Sequence, residues 1–352
     1  MPLSRVRIQS FRCIAEVELE LHPGRNYIFG PNGAGKTSLL EAMHVLGRGR
    51  SFRTRRSRRL IRRGAEGFSV YGEVYEDGVR RRLGVGLGAA GLALRLDGEA
   101  APGMAALAET LPVHVVEPNI HQLIEGGPGE RRRFLDWGVF HVEQGYLAAW
   151  RRYRRVLGQR NAALKAGRGV EAWNQAFLEA ASAVDSPRSR YVEQLSEGLE
   201  GLGEALLGCA LDVSYRSGWS RESDLPAAIA ASAVRDARSG ATQVGPHRAD
   251  IAITMDARGV REEVSRGQQK LVAAALILAQ IRVFARGRAD GGLLLVDDPA
   301  AELDREALAG LMSVLDDLPA QLVMTGLSET LLPPAAGYPV FHVERGRITS
   351  VL

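Results

Sequence analysis

Gly30-Pro31-Asn32-Gly33-Ala34-Gly35-Lys36-Thr37-Ser38 matches the phosphate-loop pattern G-x-x-x-x-G-K-[ST] at Gly30, Gly35, Lys36 and Thr37. A short apolar stretch, Tyr27 to Phe29, leads into it, and a helical run follows that ends near Gly47. Gly30, Gly33 and Gly35 can take backbone angles closed to other residues, so successive N–H groups turn inward and form a concave anion site at a helix N-terminus. In such a site Lys36 reaches the β- and γ-phosphates of a nucleotide and the Thr37 hydroxyl holds Mg²⁺. Of the 45 basic residues only three are lysine, at 36, 165 and 270. A composition that otherwise writes arginine keeps a compact ammonium at Lys36, where arginine's planar fork would not substitute.

The other half of a nucleotide site lies far downstream. Leu293 to Val296 reads as a buried strand that ends in Asp297-Asp298-Pro299. A carboxylate at the end of such a strand belongs beside the cation held by Thr37, so Asp297 is the expected metal residue. Asp298, one residue on, points to the other side and is placed to orient or deprotonate the attacking water. Roughly 260 residues separate the two halves, too many for a one-piece nucleotide fold. The segment between them is therefore expected to leave one core and re-enter it.

Residues 5 to 21 alternate with the strand period and His22-Pro23-Gly24 makes a turn before the phosphate-loop strand, which predicts a β-hairpin feeding the nucleotide site. Phe68 to Leu96 shows three short alternating runs and predicts an antiparallel meander beside the nucleotide core. The character changes near Pro112. From Glu130 to about Leu211 apolar residues recur at helical spacing, with breaks expected at Gly158, Gly167 to Gly169 and Pro187. Three of the four Trp fall in this helical arm and read as core rather than as a base-stacking platform. The segment Asp212 to Ala237 has no readable pattern. A hairpin is expected around Asp256 to Gly259, a helical run from Leu271 to Ala285, a strand from Gln321 to Thr325 and a closing hairpin from Val340 to Val351.

The chain has 352 residues and a formal charge of +4, but the charge is unevenly spread. From Arg48 to Arg63 there are nine Arg and no acid, which leaves the remainder of the chain acidic overall. Because this cluster follows directly on the phosphate-loop helix, Arg50, Arg53, Arg55, Arg56, Arg58 and Arg59 are read as a polyanion contact. No apolar run of 18 residues and no charged-then-apolar leader is present, so a cytoplasmic protein without a membrane partner is expected. Cys13 and Cys209 lie in no metal or redox spacing and read as buried reduced thiols.

Ser265-Arg266-Gly267-Gln268-Gln269 resembles the signature of ABC-type ATPases, and Ala301 to Asp304 resembles their D-loop. The stretches RVRIQSFRCI, GPNGAGKTSLLEAM, GRGRSFR, GGPGERRRFLDWGVFHVE, GPHRADI, SRGQQK and LLLVDDPAAELD together resemble the RecF family of bacterial recombination mediators, from end to end of the chain. That family is similar to the heads of the structural-maintenance-of-chromosomes (SMC) ATPases, with a short helical arm in place of a long coiled coil. The resemblance implies an α/β ABC-type ATPase head, with a phosphate-loop core and an antiparallel β subdomain, carrying an inserted helical arm. The expected parts are 1–112, 113–244 and 245–352.

The same resemblance implies an ATP-gated homodimer that binds duplex or gapped DNA, hydrolyses ATP weakly, and acts with RecR and RecO to load RecA. It assigns Gly30 to Ser38 to ATP, with Lys36 in the Walker A role, and Thr37 with Asp297 to Mg²⁺. Asp298 takes the water-orienting role, Ser265 and Gln268 the signature role across the dimer, and Asp304 the D-loop role. Arg-rich surfaces, one per subunit, would line a common groove for DNA phosphates. Two positions depart from the wider superfamily. The usual catalytic Glu is Asp298, one methylene shorter, and Thr325 stands where a switch histidine is expected. Glu117 and Asn119 lie in the Q-loop region. A nucleotide-gated DNA clamp and a generic SMC-like head without any RecA-loading role both fit the same residues.

Overall fold

The computed structural model describes residues 2–76, 78–220, 222–288 and 291–351. Contacts divide the chain into two compact units, one made of Met1–Ile120 with Ala285–Leu352 and the other of His121–Phe284. The first unit opens with β1 (Leu3–Phe11), β2 (Ile14–Glu20), β3 (Arg25–Phe29) and α1 (Lys36–Arg48). It continues with β4 (Phe68–Glu76), β5 (Val79–Gly88), β6 (Gly91–Leu96), β7 (Glu99–Ala100), α2 (Met104–Thr110) and β8 (Val113–Val116). The alternation in the first hairpin sends Val6, Ile8, Val17 and Leu19 to one buried face, with Val6 opposite Leu19 and Ile8 opposite Val17. The meander is not a separate sheet. β4 pairs with β1, so hairpin and meander merge into one antiparallel sheet of order β2-β1-β4-β5-β6-β7.

The second unit runs through α3 (Gln122–Glu125), α4 (Pro128–Val142), α5 (Tyr146–Ala166), α6 (Glu171–Gly198), α7 (Leu202–Leu207) and β9 (Leu211–Arg216). After these come α8 (Leu225–Ser239), β10 (Asp250–Met255), β11 (Arg258–Gly259), α9 (Val260–Glu263) and α10 (Arg266–Ala285). Two of the expected helix breaks are not breaks. Gly158 lies within α5 and Pro187 within α6. A helical Gly costs about 1 kcal/mol and a Pro about 3 kcal/mol. Burial of Tyr153, Val156 and Leu164 on α5, and of Val184, Tyr191 and Leu195 on α6, offsets both. Gly167, at φ 67°, does end α5, and Arg168 N–H closes the turn onto the Ala163 carbonyl.

The unreadable segment from Asp212 resolves into β9 and α8. Asp224 caps α8 by accepting from Ala227 N–H at 2.8 Å, with Pro226 inside the first turn. Side-chain-free Gly138 lets Tyr191 and Gln280 approach α4, since a Cβ there would lie 2.1 Å from the Tyr191 oxygen and 2.6 Å from the Gln280 amide. Buried ion pairs tie the unit together. Arg160 donates to Asp236 at 2.8 Å and Thr242 at 2.7 Å, and Arg131 holds both oxygens of Asp250 at 2.7 and 2.9 Å. Trp137, Trp150 and Trp173 are half-buried. Among the described residues α10 is the one helix long and apolar enough to cross a membrane by length and composition. It is mostly buried, as a core helix is.

The chain re-enters the first unit with β12 (Leu293–Val296), α11 (Pro299–Glu302), α12 (Arg305–Asp316), β13 (Gln321–Gly326), β14 (Val340–Glu344) and β15 (Arg347–Val351). These complete a second sheet of order β15-β14-β3-β13-β12-β8, parallel from β14 to β8. Every residue of β12 and β13 is buried, which is why β12 reads as an unbroken apolar run and why the two polar side chains of β13, Gln321 and Thr325, are hydrogen-bonded. α1 packs on β1, β4 and β5 of one sheet and on β8, β12 and β13 of the other, so nearly all of its residues are buried.

The expected part boundaries shift accordingly. β8 pairs with β12, so residues 113–120 group with the first unit. β10 pairs with β9 and α10 packs on α4, so residues 245–284 group with the second.

Candidate nucleotide-binding site

The phosphate loop runs from the end of β3 into α1. Gly33 and Gly35 have φ of 80° and 118°, and a Cβ on Gly30 would lie 2.3 Å from the Val343 carbonyl oxygen. Only glycine meets all three demands without strain. The loop encloses a cavity of about 270 Å³ lined by Cys13, Pro31 to Ser38, Arg53 and Asp298. A wider groove of about 560 Å³, between α6 and β9 in the other unit, holds none of the residues singled out from the motifs. Cys13 is exposed at the cavity, 3.6 Å from the Ser38 hydroxyl, and Cys209 is partly exposed, so neither thiol is buried as expected.

The two distant halves of the sequence meet here. The Thr37 hydroxyl lies 2.9 and 3.1 Å from the two carboxylate oxygens of Asp297. Lys36 is buried, its ammonium donating to the carbonyls of Gly30 at 2.7 Å and Pro31 at 3.4 Å. Thr325, fully buried at the end of β13, connects both aspartates. Its hydroxyl donates to Asp297 at 2.9 Å and accepts Asp298 N–H at 2.9 Å. Asp298 sits in the left-handed region at φ 47° and ψ 57°.

The electrostatics follow from this crowding. Burial pushes the Asp298 carboxyl up, Lys36 pulls it back, and the charges of Asp297 and Glu302 add to the rise. Burial likewise pushes Glu117 up to about 7, with the charge of Asp297 adding to it while Asn119 and Arg53 oppose it.

The donor set suits a magnesium nucleotide. Thr37 and Asp297 supply one hydroxyl and one carboxylate, and the described residues contain no cluster of three or more His, Cys, Asp or Glu able to cage a metal. Such a sparse set matches a cation that takes its remaining ligands from phosphates and water. The Oδ1 atom of Asp298 is buried without a hydrogen-bond partner among the described residues, an acceptor left over for a water molecule.

The remaining expected residues fall in separate places. Ser265 and Gln268 lie exposed at the N-terminus of α10, in the second unit. There they form a reciprocal capping box, with Ser265 N–H on Gln268 Oε1 at 3.0 Å and Gln268 N–H on Ser265 Oγ at 3.3 Å. Asp304 caps α12 by accepting Ala307 N–H at 2.9 Å. Arg50, Arg53, Arg55, Arg56, Arg58 and Arg59 are all exposed, and Arg53 also lines the nucleotide cavity.

Sequence reading missed the anchor of this arginine segment. Glu41, fully buried on α1, takes Arg12 through two bonds of 2.7 and 2.8 Å, accepts the Ser51 hydroxyl at 2.5 Å, and lies 3.5 Å from Arg53. The available signal was an acid within the otherwise apolar run Leu39 to Met43.

A family model described as the RecF/RecN/SMC N terminal domain matches residues 2–349. The DNA replication and repair protein RecF of Azotobacter vinelandii is 41% identical, over 99% of this chain and 98% of its own. A solved structure of "the recombination mediator protein RecF-ATP in RecFOR pathway" superposes with a TM-score of 0.86 at 25% identity, over 100% of this chain and 98% of its own. The Smc head domain from Pyrococcus furiosus, 16% identical with a TM-score of 0.62 over 99% of this chain and 96% of its own, shares the fold. The architecture is thus that of an ABC-type ATPase head, and because the match to RecF extends in sequence over nearly the whole of both chains, this chain belongs to the RecF family.

Proposed function

We propose that the chain is an ATP-dependent DNA-binding protein of recombinational repair and replication restart, in which ATP acts mainly as a switch for dimerisation and is hydrolysed slowly. The observation that carries this reading is the convergence of Lys36 and Thr37 with Asp297 and Asp298 on one loop-bounded site. Lys36, now held by backbone carbonyls, is the cation for the β- and γ-phosphates of ATP. Thr37 and Asp297 would hold Mg²⁺, which supplies charge neutralisation on the phosphate oxygens. Asp298 orients the attacking water through its spare oxygen, and its short side chain makes turnover slow.

Ser265 and the exposed N-terminus of α10 are available to the γ-phosphate of ATP held by a partner subunit, with Asp304 linking the two sites. Nucleotide then supplies contacts that only the closed homodimer has, and hydrolysis removes them. Arg50, Arg55, Arg56, Arg58 and Arg59 contact the phosphates of duplex or gapped DNA. The ATP-bound relative is named as a recombination mediator in the RecFOR pathway, which supports RecR and RecO as partners. RecA as the protein loaded and a cytoplasmic, nucleoid-associated location follow from the resemblance to the RecF family alone.

The test is ATP turnover against protein concentration, with and without duplex DNA, for wild type, Lys36→Arg and Ser265→Arg. Activity per molecule that rises with concentration and with DNA, and is lost in both variants, is expected. Flat specific activity with an active Ser265→Arg variant would leave a monomeric ATPase. Capture of RecR by the ATP-bound protein tests the mediator role, and its failure leaves a DNA-binding SMC-like head.

A further inference from the structure

From Tyr146 to Val170 the sequence holds seven Lys or Arg and no Asp or Glu, a second acid-free basic stretch besides Arg48–Arg63. The structure sorts these cations. Arg160 is buried on Asp236 and Thr242, and Arg152 pairs with Glu179 at 2.9 Å. Tyr146, Tyr153, Val156 and Leu164 form the packed face of α5. On the opposite face Ala148, Arg151, Arg155, Gly158, Ala162 and Lys165, spaced three and four apart, are all exposed. Arg154 flanks this stripe, its guanidinium 5.2 Å above the Trp150 ring, and Arg168 follows at the helix end. Among the described residues no carboxylate pairs with Arg151, Arg154, Arg155, Lys165 or Arg168.

Arg151 with Arg154, Arg151 with Arg155, and Arg152 with Arg155 are like charges at neighbouring helix positions, which weakens a helix. Packing does not require Arg151 and Arg155, since they lie on the outer face. The ligand that relieves this repulsion is a polyanion. The stripe has no large apolar side chain to anchor a protein partner, and the apolar face a membrane-surface helix needs is buried. Phosphate contacts need neither. From Arg151 to Lys165 the helix rises about 21 Å, a length over which duplex DNA presents roughly a dozen phosphates.

We infer that the outer face of α5 is a second DNA phosphate-backbone site, distinct from the Arg48–Arg63 segment. The inference rests on the DNA-binding reading above. It is tested on the full chain with ATP, by measuring duplex affinity against salt for wild type, Arg151→Gln/Arg155→Gln and Arg56→Gln/Arg58→Gln. The α5 variant is expected to flatten the log–log salt slope by about 1.8, at about 0.9 per lost phosphate contact. Its DNA-free ATP turnover should stay at the wild-type rate, and Arg151→Lys/Arg155→Lys should restore the slope. An α5 variant with the wild-type slope, beside an Arg56/Arg58 variant that flattens it, overturns the α5 site and leaves the DNA reading standing. A wild-type chain that binds no duplex overturns both.

Discussion

Thr325 enters the sequence reading only as a missing histidine, yet its single oxygen connects the two acids of the site. It orients the Asp297 carboxylate that faces Thr37 and holds Asp298 N–H, with Asp298 in a left-handed conformation that a non-glycine residue adopts at a cost. Thr325→Val keeps the shape and the strand preference of the residue and removes both bonds. It leaves the Asp298 N–H without its acceptor, so urea unfolding should show a loss of about 1–3 kcal/mol. ATP turnover should fall by about tenfold, the equivalent of about 1.4 kcal/mol in the barrier. Thr325→Ser keeps the hydroxyl and should behave like wild type in both assays. A valine variant with unchanged turnover would remove Thr325 from any positioning role.

The elements show how local preference and packing compete. The Gly167 stop was legible because a left-handed turn is satisfied within a few residues, and the Ser265 to Gln268 box, which the sequence offered only as a signature, closes just as locally. Gly158 and Pro187 misled for the same reason, since the burial that carries α5 and α6 through them involves residues far away in sequence. Gly158 is exposed, and a Cβ there would meet nothing within 4 Å. Gly158→Ala should therefore stabilise the protein by about 0.5–1 kcal/mol, chiefly by restricting the unfolded chain. The check is a higher urea midpoint with an unchanged slope. A lower midpoint would mean that α5 needs the glycine for something other than its helix.

At the scale of the whole molecule, acid is the predicted weakness. Burial pushes His114 down to about 3, helped by the charge of Arg48. Burial and Arg48 also lower His44, and burial lowers His247 although its ring nitrogen meets the Thr242 carbonyl oxygen. Each folded pKa lies below the unfolded value of about 6.5, so as pH falls the unfolded chain takes up protons first. Stability from these groups is complete above about pH 6.5 and is lost on the way down. For His114 the loss continues toward pH 3, at up to about 1.4 kcal/mol per pH unit. The urea midpoint should be lower at pH 5 than at pH 7.5, and His114→Gln should reduce the difference. An equal difference in that variant would show that His114 is not buried neutral.

The sequence by itself determined the phosphate loop, the apolar strand that delivers Asp297 and Asp298, and the insertion between them. Each of these is a local pattern whose chemistry requires particular residues at short spacing. Only the tertiary structure decided that β4 joins β1, that β8 belongs with β12, that Glu41 grips Arg12 and lies against Arg53, and that Thr325 bridges the aspartates. Those choices depend on burial and pairing between residues tens to hundreds of positions apart, where many partners satisfy the same local pattern and the packed core selects one.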